Sequence, residues 1–138
     1  MKLFITIAVF ASLILSCKSI YHSIPKYPDR VMIYKLSRYA SYPVAIPCNR
    51  IAKTNGVTQL LVTSKKEIKY TYLMFNDSAN FKLDTSFHHV DSRMLLVFIY
   101  PNGRTDSICL NRTGLIVERC NKFYFSNEKI QNYMLSKY

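Results

Sequence analysis

The stretch from Met94 to Leu110 constrains this chain more than any other. Met94-Leu95-Leu96-Val97-Phe98-Ile99-Tyr100 is uninterrupted apolar sequence, followed by Pro101-Asn102-Gly103-Arg104 and then by Thr105 to Leu110. Asn-Gly between two strand-like runs is a strong hairpin signal, because a type I′ turn requires φ > 0 at both central residues. With Asn102-Gly103 as the loop, Tyr100 is expected opposite Thr105, Phe98 opposite Ser107, Val97 opposite Ile108, Leu96 opposite Cys109 and Leu95 opposite Leu110. Strand side chains alternate between faces. This register therefore groups Leu95, Val97, Ile99, Ile108 and Leu110 on one face, read as the core. It groups Phe98, Tyr100, Thr105 and Ser107 on the other, a mixed face and the expected place for function.

The flanking elements extend the same sheet. Val31 to Leu36 alternates as a first strand. Tyr42 to Ile46, bounded by Pro43 and Pro47, reads as an edge strand. Asn55-Gly56 marks a turn before a strand over Val57 to Thr63. Lys66 to Phe75 has strand-like Tyr and Thr content, yet Ser64-Lys65-Lys66-Glu67 is a capping box and Ile68, Tyr72 and Phe75 recur at helical spacing, so a helix is the reading and a strand the alternative. Asn76 to Val90 is a polar connection in which Phe81, Leu83, Thr85 and Phe87 alternate weakly. Asn111 to Gly114 is a turn into a strand over Leu115 to Arg119. Pairing Leu110 with Leu115 adds Leu115 and Val117 to the dry face, and Ile116 and Glu118 to the mixed one. Phe123 to Phe125 is a last short strand. Ser126 is expected to cap a C-terminal helix with Glu128 in its first turn and Ile130, Tyr133, Met134 and Tyr138 as its apolar stripe. The expected fold is α+β, a mostly antiparallel sheet of about six or seven strands. Two helices are expected on the Leu95/Val97/Ile108/Leu110/Val117 face.

The N-terminus carries a different kind of signal. Met1-Lys2 precedes an apolar run from Leu3 to Leu15, too short to span a bilayer and suited to the h-region of a signal peptide. Ile14-Leu15-Ser16-Cys17 resembles the lipobox of bacterial lipoproteins, in which the cysteine thiol carries the lipid (diacylglycerol, with palmitate as the acyl chain). Cys17 is the expected attachment point. Residues 1–16 then form the signal peptide and 17–30, with Pro25 and Pro28, an extended tether. Residues 31–138 form one domain.

That lipobox joins an early strand at Val31 to Leu36 and a capped segment at Ser64 to Phe75. The run from Tyr100-Pro101-Asn102-Gly103 to Cys109 follows, then Gly114-Leu115-Ile116 and a terminal helix. The whole resembles the small, functionally uncharacterised lipoproteins of the Bacteroidota. The resemblance implies a fold and a cell-envelope compartment, and no activity. Lys18-Ser19-Ile20 lacks the acidic export signal of surface-exposed lipoproteins in that group, which implies an outer-membrane anchor with the domain facing the periplasm. Asp77-Ser78-Ala79 is similar to the three-residue O-glycosylation motif used there, making Ser78 a candidate for modification. Asp106-Ser107-Ile108 matches it too, within the sheet.

Few residue groups suggest chemistry. His88-His89 with Asp91 is the one His-rich spot, but neighbours on a strand point to opposite faces. Zinc sites need three or four ligands, so no metal or cofactor is expected. Beyond Cys17 the cysteines are Cys48, Cys109 and Cys120. In the expected register Cys120 lies about 13 Å along the strand from the position opposite Cys109. That exceeds the roughly 7 Å between Cα atoms that a disulfide tolerates. Cys48 could pair with either, or the cysteines could stay free as small apolar side chains. With eight carboxylates and three histidines, none clustered at catalytic spacing, no catalytic residue is named and no enzyme is expected.

Nineteen basic residues against eight acidic ones give +11, a charge that favours polyanions or acidic membrane surfaces. No nucleic-acid-binding motif is present, and nucleic acid is not an expected partner. Expected partners are the membrane, through the lipid, and a protein or anionic envelope ligand. The leading expectation is a non-enzymatic binding or accessory lipoprotein whose recognition surface comprises Phe98, Tyr100, Thr105, Ser107 and Glu118. An immunity-type inhibitor of a toxin or hydrolase is the alternative, and an envelope hydrolase comes third.

Overall fold

The apolar run at Met94 forms the middle of a seven-stranded antiparallel sheet. In the computed structural model, residues 27–37, 39–86 and 89–137 are described. The strands are β1 (Arg30–Lys35), β2 (Thr58–Val62), β3 (Phe81–Asp84), β4 (Ser92–Ile99), β5 (Thr105–Asn111), β6 (Ile116–Arg119) and β7 (Lys122–Ser126). Their order is β2-β1-β4-β5-β6-β7-β3, so β2 and β3 are the edges. Two helices complete the α+β fold, α1 (Lys65–Asn76) and α2 (Glu128–Lys137).

Both helices pack on one face of the sheet. From α1 come Ile68, Met74 and Phe75, and from α2 Ile130, Tyr133 and Met134. They meet Val31, Ile33, Met94, Leu96, Phe98, Ile108, Leu110 and Val117 in one continuous core. Burying each large apolar side chain stabilises the fold by about 1.5–3 kcal/mol. Polar groups tie the helices together as well. Thr71 Oγ1 lies 3.3 Å from the Tyr133 hydroxyl, and burial pushes the pKa of that hydroxyl up to about 12. Asn80 donates to the Met74 carbonyl at the end of α1, while its own carbonyl oxygen accepts from the Asn127 side chain.

The central hairpin departs from the expected register by one residue. Ile99 pairs with Thr105, Phe98 with Asp106, Val97 with Ser107, Leu96 with Ile108 and Leu95 with Cys109. The cause is Pro101. A two-residue loop would require the N–H of residue 101 to bond across the turn, and proline has none. Tyr100 N–H donates to Arg104 O instead, Gly103 N–H donates to Tyr100 O, and Gly103 closes the loop at φ 81°. The result is a three-residue loop. A slip of one residue turns every side chain on one strand to the opposite face. Leu96 and Phe98 therefore enter the core with Ile108, Leu110 and Val117, while Leu95 and Val97 face away from the helices. The two-residue turn with both φ positive occurs elsewhere, at Cys120 and Asn121 between β6 and β7.

Other expectations shift by less. Leu110 pairs with Val117 rather than Leu115, and Cys109 with Glu118 rather than Ile116. That difference of two residues keeps Val117 on the core face. Tyr42 to Ile46 is not a strand, whereas Phe81 to Asp84, expected as connection, pairs with β7. The α1 helix begins after Ser64 as expected, although the Ser64 hydroxyl makes no capping bond. For α2 the capping side chain is Asn127 rather than Ser126, its Oδ1 accepting from Lys129 and Ile130 N–H. Ser126 is buried and its hydroxyl donates to Gly114 O. Gly114 sits at φ 74° against α2, where an added Cβ would lie 2.6 Å from Met134 Cγ.

The other face of the sheet is covered in part by the crossing segment between β1 and β2. Leu36, Ile46 and Ile51 pack on Leu95 and Cys109, and Cys48, in the 3-10 turn Cys48–Lys53, forms a disulfide with Cys109 across 61 residues of sequence. Arg93 stands at a register shift in β4. Its guanidinium makes two bonds to Asp91 Oδ2, 3.0 and 2.7 Å, donates to Ala40 O and lies 4.7 Å from the Tyr42 ring centre. Asp91 Oδ1 accepts from Ile46 N–H. One part-buried ion pair thus holds the first part of the crossing segment, from Ala40 to Ile46.

Candidate functional site

The five residues expected to share a recognition surface lie on two faces. Phe98 and Tyr100 belong to the helix-side core, at 0% and 5% exposure. Thr105 and Ser107 are exposed and Glu118 is half-buried on the opposite face, beside the Cys48–Cys109 disulfide that the Cys109–Glu118 pairing brings close. The slip at Pro101 is what parts them.

Tyr100 is part of a polar cluster at the C-terminal end of α1. Its hydroxyl is held protonated well above the ordinary tyrosine range, first by burial and then by the neighbouring Tyr72. Arg119 forms an ion pair with Asp106 and donates to Phe75 O and the Asn76 side chain. A cation here meets the carbonyl end of the helix, where it is favoured. Tyr72 also stacks edge-on against both Tyr27 and Phe98. These contacts make the cluster a structural joint between α1, β5 and β6.

On the opposite face Glu118 is the titratable group of interest. Burial raises its pKa, as expected for a carboxylate flanked across the sheet by Cys109 and Phe123. Thr105 and Ser107 offer hydroxyls on an open part of that face.

The remaining expectations fall as follows. Cys17 and His88 lie outside the described residues, as do the signal segment and most of the tether. His89 is exposed, and Asp91 is committed to Arg93 and Ile46. Among the described residues no group of three or more His, Cys, Asp or Glu side chains could hold a metal. Ser78 is exposed in a short 3-10 turn just after α1, and Asp77 caps that turn through Ala79 N–H.

A surface not expected from the sequence lies on the outer side of α1. Lys66, Lys69, Tyr70 and Leu73 follow at spacings of three and four and are all exposed, Tyr70 at 53% and Leu73 at 48%. The signal was available in the helix itself. With Ile68 and Phe75 facing inward, residues 66, 69, 70 and 73 must face outward. Open ground beside it reaches α2, where Tyr70, Lys129, Asn132 and Ser136 line a shallow depression.

No protein-family model, no curated protein and no solved structure matches this chain.

Proposed function

We propose that this protein is a lipid-anchored, non-enzymatic binding or accessory protein of the bacterial cell envelope, tethered through Cys17 and facing the periplasm. The observation that carries the proposal is the Cys48–Cys109 disulfide. Such bonds persist in oxidising compartments, in keeping with the export signal read from Leu3 to Cys17. The use made of the carboxylates supports a binding role over catalysis. Asp91 and Asp106 are paired with Arg93 and Arg119, Asp77 caps a turn, and Asp84 accepts from Ser86. What this arrangement presents to a partner is a cross-linked, basic platform.

The test is chemical. Cells expressing the chain are fed a fatty-acid probe, and the purified protein is digested without reduction for mass spectrometry. The expected result is a lipidated N-terminal peptide beginning at Cys17 and a Cys48–Cys109 linked peptide, with label and processing both lost in Cys17→Ser. An unlabelled Cys17 joined by a disulfide to Cys120 would overturn the anchor.

A further inference from the structure

We propose that the outer face of α1 docks on an anionic phospholipid bilayer, so that the domain lies on the membrane rather than hanging free on its tether. This inference rests on the envelope reading given above. The face is built as a membrane-surface helix is built, with basic residues beside exposed aromatic and aliphatic ones. Lys66, Lys69, Tyr70 and Leu73 form one continuous stripe, and Lys65 extends it on its flank. The opposite stripe of the same helix, Ile68, Thr71 and Phe75, is buried in the core, which fixes the exposed stripe toward the outside. Charge complementarity points to an anionic surface, since the whole chain carries +11.

Where the chain joins the fold points the same way. The first described residue, Tyr27, packs edge-on against Tyr72 of α1, and the Lys69 ammonium lies 5.6 Å from its ring centre. The described part of the chain therefore begins on the flank of α1, next to the stripe. Ten residues reach at most about 35 Å when fully extended, so a lipid on Cys17 keeps the stripe within easy reach of the headgroups. Each lysine brought to an anionic surface contributes roughly fivefold in partition, about a hundredfold for three. Tyr70 and Leu73 add apolar insertion at the headgroup level.

The experiment reconstitutes the full chain into two kinds of vesicle, phosphatidylcholine alone and phosphatidylcholine with one lipid in three replaced by phosphatidylglycerol. A membrane-impermeant amine-acetylating reagent is added, and labelling is read residue by residue by mass spectrometry. Lys66 and Lys69 are expected to be labelled several-fold more slowly in the phosphatidylglycerol vesicles. High salt should abolish that protection, and Lys53, exposed on the 3-10 turn across the sheet, should be labelled equally in both. In a Tyr70→Ser/Leu73→Ser variant, which alters only exposed side chains, the protection should weaken. Equal labelling of Lys66 and Lys69 in the two vesicles overturns the docking, as does protection that appears only when envelope proteins are added. The lipid anchor is judged separately by the fatty-acid probe. Protection without that label leaves the docking standing and removes Cys17 lipidation.

Discussion

The two faces of the sheet are held by different physics. On the helix side sixteen buried residues, from seven elements and the end of β4, form one core, whereas five buried residues make up the cluster under the crossing segment. The first face rests mainly on apolar area, because two amphipathic helices supply enough of it to exclude water. The second is covered by a segment whose only regular structure, among the described residues, is the 3-10 turn Cys48–Lys53. There a disulfide, the part-buried Arg93–Asp91 pair and backbone bonds such as Ser92 N–H to Ile46 O substitute for area. The stability of this segment is therefore sensitive to the Cys48–Cys109 bond and to the Arg93–Asp91 pair.

The largest effect should come from placing a charge in the helix-side core. Leu96→Asp buries an unpaired carboxylate at a fully buried position, at a cost of several kcal/mol, comparable with the whole stability of a small domain. Val97→Asp, one residue on, faces the crossing segment from a half-buried position opposite Ser107 and should cost about 1 kcal/mol. Thermal melts of the two variants decide the matter. Equal losses would mean that the faces are not assigned as described.

This pair of neighbours also shows what could be read from sequence. Strand and helix identities were legible because they rest on local periodicity: Val31 to Leu36, the apolar run at Met94, the segment after Ser64 and the stripe of Ile130, Tyr133 and Met134 all fold as their patterns imply. The register was not legible from Asn102-Gly103 alone, because both a two-residue and a three-residue loop suit that dipeptide. Pro101 was the deciding residue, since it lacks the N–H that the shorter loop requires. Taken into account, it moves Phe98 and Tyr100 off the expected recognition surface. β3 was missed because its four residues include Lys82 and Asp84 and its pairing with β7 is set by distant sequence. Arg93 and Arg119 gave no local signal either, as each finds its partners through the tertiary fold.

Next in size is the disulfide. Cys48→Ala/Cys109→Ala releases a cross-link spanning 61 residues, and the chain-entropy estimate for a loop of that length is about 4 kcal/mol. The loss should be uneven. Amide exchange is expected to rise first in the segment from Tyr39 to Gly56, while Leu96, Phe98 and Ile108 stay protected until global unfolding. Uniform acceleration across both faces would show that the crossing segment is not a separate unit of stability.

The arginine clamp should follow. Asp91→Ala leaves the Arg93 guanidinium, 7% exposed, without its counter-charge and Ile46 N–H without its acceptor. Because Asp91 is itself part-exposed, the cost should be about 2–3 kcal/mol, measured by urea denaturation. Adding Arg93→Met should recover part of that loss, since the stranded charge is then gone. A double variant less stable than Asp91→Ala would mean that Arg93 acts mainly through Ala40 and Tyr42 rather than through the ion pair.

Glu118 provides the smallest effect and the most specific test of the less-packed face. Burial raises its folded-state pKa above its unfolded value, so between those two values the folded chain binds more protons than the unfolded one. Stability must then fall as pH rises through this window and recover as pH is lowered, opposite to the behaviour of a salt-bridged carboxylate. Above the folded pKa the ionised, half-buried Glu118 is a standing cost. Glu118→Gln removes the charge and nearly preserves the shape, so it should be more stable than the parent at neutral pH. Below the unfolded pKa, where Glu118 is protonated in both states, the two proteins should converge. The measurement is a series of urea midpoints for parent and variant from mildly acidic to neutral pH. If Glu118→Gln is instead less stable at neutral pH, the carboxylate is engaged in a favourable interaction, and this part of the sheet is held by charge as firmly as the Arg93 end.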